Sequence, residues 1–399
     1  MSTLKVDGIR SNSASSDAIT LASDGTCTAN ISTADITSIN SGAIGTRNLI
    51  DNGNFVVAQR ATNYLGVTSS SASTGYKTVD RWQVTWSGAG AAGSLTQEQT
   101  DVSSGTTPYT LGFRKAIKAT NGTDGSVAVT DYAHIYQSIE AQNIAKSGWN
   151  YTSSSSYITL SFWVKSSVAQ NFYGYIKTYD AAYTYTYETG ALTANTWTKV
   201  TKTIPGNSNL VFNNDNALGM IVLLNPFLGT NYTDSGASLN TWAATNDSSR
   251  SPDFATTWWT TDNATLEMTG VQLEIGSTAS SFAHESYTET LAKCQRYLYK
   301  ITMGINSDYI FRTFWRFNAS AGYAYSHVDF PVEMRADPSF TQDGTAYVAS
   351  GYAGGATLQN SFRTGASMRS VTNSLTDAVY LRPNNTSGSY LNLLFSAEL

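Results

Sequence analysis

The stretch Gly270–Lys300, "GVQLEIGSTASSFAHESYTETLAKCQRYLYK", changes its apolar period twice. Upstream, in "ATLEMTG" (264–270), Leu266 and Met268 share one face of a strand, whereas Val271, Leu273 and Ile275 after Gly270 have the opposite parity. A one-residue slip at a glycine predicts a β-bulge, because the extra residue returns the apolar set to the buried face. The next segment reads as helix: Tyr287, Leu291, Cys294 and Leu298 recur at helical spacing, Ser286 and Glu289 form a capping box, and Glu289 stands one turn before Lys293. "RYLYKI" then returns to strand character. The stretch therefore predicts the last strand of one β domain, a short helical spacer and the first strand of another.

Working outward, three blocks emerge. Residues 1–47 alternate small polar residues with single Ile, Leu or Val and have too few large apolar groups to close a core, so they order only by winding with identical copies or not at all. Residues 48–284 carry strand-like runs such as "YKTVDRWQVTW", "YITLSFWVKS" and "LGMIVLLN", separated by Ser, Asn and Gly clusters, which predicts an antiparallel sandwich or jelly roll. Residues 285–399 hold the helix and then a second β domain, with Pro331 and Pro338 confined to edges or turns. The fold class is all-β.

Composition narrows the function. Only 13% of the 399 residues are charged, while Tyr numbers 24 and Trp 9, so polar surface is made of hydroxyls and amides. A formal net charge of −5 and no basic patch offer nucleic acid no attraction. No run is long and uncharged enough to insert in a membrane, and the opening "MSTLKVDGIRSNSASSDAITLASDG" lacks a signal-peptide core. Cys27 and Cys294 sit in no metal or redox spacing and read as free thiols in a reducing cytoplasm.

Aromatic residues on polar strand faces are the most informative feature. Alternation in "NFYGYIKTY" (171–179) buries Phe172 and Ile176 and turns out Tyr173, Tyr175, Lys177 and Tyr179, and "YTYTYE" groups Tyr183, Tyr185 and Tyr187. Such rings stack on sugar C–H groups while phenols bond sugar hydroxyls, or else pack against another subunit. "YIFRTFWRF" (309–317) is apolar on both faces, as at a subunit interface. "TAYVASGYAGGATLQNSF" (345–362) has the Gly and Tyr-rich composition of an adaptable loop, which makes Tyr347, Tyr352, Gln359, Asn360 and Arg363 the first candidates for receptor contact, ahead of Tyr173, Tyr175 and Tyr185. Paired-carboxylate hydrolysis has candidates in Asp80, Asp180, Glu188 and Glu274, but nothing in the sequence brings two of them together. His134, His284 and His327 accompany no ordered catalytic motif, although Asp329 shares a strand face with His327. No cofactor is expected.

The ordered series "NLIDNGNFVVAQR", "VDRWQV", "YQSIE", "LSFWVKSS", "WTKVTKTIPG", "GVQLEIGSTASSF", "YTETLAKCQRYLYK" and "FPVEMRADPSF" resembles tail-fibre or receptor-binding proteins of tailed bacteriophages, including marine and cyanobacterial ones. "STLKVDGIRS" is similar to the N-terminal leader of such virion proteins. The resemblance spans Asn48 to about Phe340, beyond which the C-terminal sequence departs from it. It implies a homotrimeric virion protein with a carbohydrate-binding-module-like jelly roll, a host-facing C-terminal domain, tail or baseplate partners for the N-terminal segment, and a host polysaccharide or lipopolysaccharide as receptor. It also suggests a structural Ca²⁺, for which Asp51, Asn54 or Glu274 would serve. Two rivals remain open: a polysaccharide-degrading tailspike, and a head fibre or decoration protein without a receptor role.

Overall fold

The computed structural model describes residues 48–68, 75–88, 94–122, 127–303, 323–343, 346–348, 352–353, 357–371, 381–383 and 391–399, together with short strands nearer the N-terminus. The chain divides into two compact units, Met1–Gly45 and Thr46–Leu399. In the first, β1 (Gly8–Ile9), β2 (Ile19–Leu21) and β3 (Cys27–Ala29) form a three-stranded antiparallel sheet. β4 (Ser38–Ile39) pairs with β5 (Gly42–Ala43).

The second unit is built on two six-stranded antiparallel sheets. Its strands are β6 (Asn63–Thr68), β7 (Trp82–Ser87), β8 (Ser94–Asp101), β9 (Lys115–Asn121), β10 (Tyr132–Glu140), β11 (Tyr157–Ser166), β12 (Asn171–Thr178), β13 (Tyr183–Ala191), β14 (Thr198–Pro205), β15 (Leu218–Leu228), β16 (Trp242–Ala244) and β17 (Thr265–Ile275). One sheet runs β16-β13-β12-β15-β10-β7 and the other β14-β11-β17-β9-β8-β6. Short helices α1 (Thr107–Thr110), α2 (Ala141–Ala145) and α3 (Thr257–Thr260) lie in the connections. Alternate residues of the central strands enter the core between the sheets: Ile158, Leu160, Phe162 and Val164 from β11, Met220, Val222 and Leu224 from β15. Burying a side chain of this size contributes about 1.5 to 3 kcal/mol.

The slip at Gly270 is real. β11 and β17 pair from Ile158 with Ile275 to Ser161 with Gln272, then resume at Trp163 with Thr269, so Gly270 and Val271 together oppose Phe162. Gly270 has φ +64°, and Leu266, Met268, Val271 and Leu273 all reach the core. The φ favours glycine, and so does space, because a Cβ there would stand 2.6 Å from the Phe113 ring.

Ser286 caps α4 (Tyr287–Gln295) with the expected capping box. Its buried face differs from expectation. Thr290 and Cys294 point inward, Leu291 is half-buried and Tyr287 is 57% exposed, while Leu298 already belongs to β18 (Leu298–Met303). A helix of nine residues turns only one narrow stripe inward, and here that stripe is the i, i+4 pair Thr290 and Cys294. Glu289 is held by the Ser286 cap, and Lys293 pairs with Glu285 instead.

The remaining strands are β19 (Tyr323–Asp329), β20 (Ser339–Asp343), β21 (Ala346–Val348), β22 (Tyr352–Ala353), β23 (Thr357–Phe362), β24 (Gly365–Val371), β25 (Leu381–Pro383) and β26 (Leu391–Ser396). They make the sheets β18-β26-β20, β19-β24-β23 and β22-β21-β25. The first two close over Val328, Phe330, Met334, Met368, Leu393 and Phe395. The run 309–317 lies outside the described residues.

Candidate functional site

The outer face of the β16-β13-β12-β15-β10-β7 sheet collects the tyrosines. Strand register arranges its side chains in cross-strand rows. One row runs Gln83, Tyr136, Leu223, Tyr175, Thr186. On one side of it stand Asn225, Tyr173 and Glu188, with His134 bonded to Asn225, and on the other stand Ser138, Ile221, Lys177 and Thr184. Adjacent strands are about 4.8 Å apart, so Tyr136 and Tyr175 lie roughly 10 Å apart across Leu223. Tyr132 stacks on His134 with centroids 4.9 Å apart and meets Tyr232 edge-on at 5.9 Å. Tyr173 packs against Phe254 at 5.1 Å, and Tyr136 donates its hydroxyl to Gln83 Oε1 at 2.8 Å.

Two cations and an acid meet at one edge of this face. Asp247 accepts from Lys177 Nζ at 3.3 Å and Arg250 Nε at 3.2 Å, and these cations also lie over the Tyr179 and Tyr232 rings. Slight burial would push the Asp247 carboxyl up, but Arg250 and Lys177 outweigh it and hold it below the usual range. Burial pushes the Tyr175 phenol up to about 12 and raises Tyr136 and Tyr179 as well, so all three stay neutral at ordinary pH. Burial also pushes His134 down to about 4, so its neutral ring donates Nδ1–H to Asn225 Oδ1 at 2.6 Å. The row through Thr186 runs into a cavity of about 250 Å³ whose lining includes Thr184, Asp234, Ser238, Asn246 and Arg250. Neutral rings beside hydroxyls and amides can hold a polyol by stacking and hydrogen bonding.

The structure redistributes the residues expected from sequence. Tyr173 is on the outer face and half-buried. Tyr175 is on that face but only 4% exposed, because Ile221 and Leu223, with Tyr136 beside them, cover it. Tyr185 points into the core, 3% exposed, as does Tyr187. Gly174, opposite Tyr187 in register, makes room for that ring, and Tyr187 donates to Leu223 O at 2.8 Å. Tyr185 is therefore a core residue rather than a contact. Residues 345–363 are not one long loop: Tyr347 lies on β21 and Tyr352 on β22, paired as Tyr347 with Ala353 and Val348 with Tyr352, and their side chains lie outside the described residues. Alternating Thr, Tyr and Val in this segment favour strand. Gln359 and Asn360 are exposed on β23, whereas Arg363 is tied at the turn by Met334 O at 2.9 Å and Glu333 at 2.8 Å.

Each acidic candidate holds its own partner: Glu188 takes Asn171, Asp180 takes Asn213, Asp80 takes Gln59, and Glu274 takes Ser280 and Gln272. Asp51 pairs with Arg81, and among the described residues no group of three or more His, Cys, Asp or Glu is placed to hold a metal ion. Thr184, Thr186 and Arg250 were not among the expected residues, since chain-distant loops bring them together. Tyr132 and Tyr136 did carry a signal, the alternation in "YAHIYQ".

No protein-family model matches the chain, and no curated protein matches it. Among solved structures, it is similar to the enzymatically active domain of tailspike protein 4 of bacteriophage CBA120, with TM-score 0.28 and 12% identity over 49% of this chain and 19% of that one. It is also similar to a family 11 carbohydrate-binding module of Clostridium thermocellum solved with a mixed-linked tetrasaccharide (TM-score 0.24, 11% identity, 55% of this chain and 99% of that one). A third is the CBM22-1–GH10 part of a xylanase from the same organism (TM-score 0.25, 9% identity, 56% and 30%). The chain thus spans a small part of the tailspike domain and nearly the whole of the isolated binding module.

Proposed function

We propose that this chain is a bacteriophage tail-fibre protein that binds a host cell-surface glycan without cleaving it, works as a homotrimer and attaches to the virion through residues 1–47. The virion setting rests on the ordered motifs from Asn48 to about Phe340. Glycan binding rests on one observation: a sheet face carrying Tyr136, Tyr173 and Tyr179 leads into a hydroxyl-lined cavity. On this reading the glycan is held by the sandwich face.

The test is incubation of the purified protein with a panel of bacterial capsular polysaccharides and lipopolysaccharides, followed by sizing of the polymer. Retention of a polymer at unchanged length is expected. Shortening would make the chain a tailspike enzyme, and no retention by any polymer would favour a head fibre or decoration protein. Light scattering should give three chains per particle, and a monodisperse monomer at micromolar concentration contradicts the trimer. Deleting residues 1–47 should abolish incorporation into virions while leaving the sandwich folded.

A further inference from the structure

The opposite sheet carries a second cleft, on the outer side of β14-β11-β17-β9. It encloses about 300 Å³ between three segments: the sheet at Ser161, Trp163, Lys199 and Gly270, the turn Leu111–Phe113, and the strap 279–284. The strap is pinned at several points. Ser280 N donates to Glu274 Oε1 at 2.8 Å, Ala283 N to Gln272 Oε1 at 2.8 Å, and His284 Nε2 to Leu111 O at 2.9 Å. Phe113 meets Phe282 edge-on at 5.0 Å and lies 5.2 Å from the His284 ring, which locks the turn against the strap. Gly270 lets the Phe113 ring close directly over the sheet at the edge of the cleft, where a Cβ would stand 2.6 Å from it. A ligand would enter a preformed cleft.

The lining has a definite chemistry. Trp163 stands between Lys199 and Thr269 in register and is half-buried, so part of its indole remains accessible. Ser161, 4% exposed, lines the floor of the cleft. Lys199 is exposed at the rim and forms no ion pair among the described residues. None of the lining residues is acidic.

The geometry points to a second binding site, for one pyranose unit bearing a carboxylate, such as a uronic acid residue of an acidic polysaccharide. The apolar face of the ring stacks on Trp163, a ring hydroxyl pairs with Ser161, and the carboxylate meets the Lys199 ammonium. The site is on the other sheet from the tyrosine face and does not depend on it.

Methyl β-glucuronide and methyl β-glucoside are the probes, titrated into the full chain and followed by calorimetry and saturation-transfer NMR. The glucuronide should bind more tightly than the glucoside. Lys199→Met, at an exposed position, should keep the melting temperature and weaken the glucuronide at least tenfold while leaving the glucoside unchanged. Ser161→Val, which removes the hydroxyl and adds bulk to the floor, should weaken both. No glucuronide binding at millimolar concentration, glucuronide binding that Lys199→Met leaves unchanged, or binding abolished by Tyr179→Ala on the other face would each overturn the assignment.

Discussion

The guanidinium carbon of Arg81 lies 3.3 Å from the centroid of the Tyr297 ring. The same side chain, 1% exposed, pairs with Glu398 at 2.8 Å and Asp51 at 3.4 Å and donates to Ser138 O at 2.6 Å. Tyr297 in turn donates its hydroxyl to Glu140 Oε1 at 2.5 Å, which Arg296 also grips at 2.8 Å. The residues after α4 are thus bonded to the sandwich through buried charge. Arg81→Met leaves Asp51 without its cation and Glu398 with Arg60 alone, and should cost about 3 to 5 kcal/mol in chemical denaturation.

Two buried groups titrate in opposition. Burial pushes Asp80 up to about 6 from 3.8, and its bonds from Gln59 oppose this only in part. The folded chain then holds a proton that the unfolded chain has lost, so Asp80 makes stability fall as pH rises from about 4 to 6. Burial pushes His134 down to about 4 from 6.5, so its contribution is whole above pH 6.5 and is lost as pH falls toward 4. Between about pH 4.5 and 6 the two slopes offset each other. Asp80→Asn should reveal the histidine alone, as a loss of roughly 1.5 kcal/mol between pH 6.5 and 5 in denaturation series.

Gly270→Ala should be costly beyond its size. The left-handed φ costs an L-residue about 1 to 2 kcal/mol, and the new Cβ would meet the Phe113 ring at 2.6 Å. Calorimetric melting should show a clear fall, and the cleft beside Phe113 should lose ligand binding with it.

Tyrosines of the same sheet face should separate into two kinds. Tyr175→Ala empties a site that is 4% exposed and should cost about 3 kcal/mol or more. Tyr179, 44% exposed, should be replaceable by Ala within about 0.5 kcal/mol. Thermal melts of the two variants check this without any ligand.

The sandwich, the bulge and the helix cap were legible because each rests on local pattern: alternation at period two, a parity slip at Gly270, and the Ser286 to Glu289 spacing. The burial of Tyr185 was not, because alternation groups the tyrosines of β13 without saying which face meets the core, and its partner in register, the core residue Ile176, sits on the neighbouring strand. Tyr175 shows a further gap. Its outward direction follows from parity, but its cover comes from Tyr136, Ile221 and Leu223 on other strands. Both clefts are likewise assembled from distant segments, 111–113 with 279–284 in one and 184–186 with 234–250 in the other, so periodicity within one strand could not locate them.

The most direct measurement is binding of the intact chain, and of a Tyr173→Ala/Tyr179→Ala variant, to an array of bacterial surface oligosaccharides, with melting temperatures taken in parallel. The wild type should bind a defined glycan, and the variant, still folded at the assay temperature, should lose at least tenfold in affinity, about 1.4 kcal/mol. A folded variant that binds as tightly as the wild type would contradict glycan recognition by the tyrosine face.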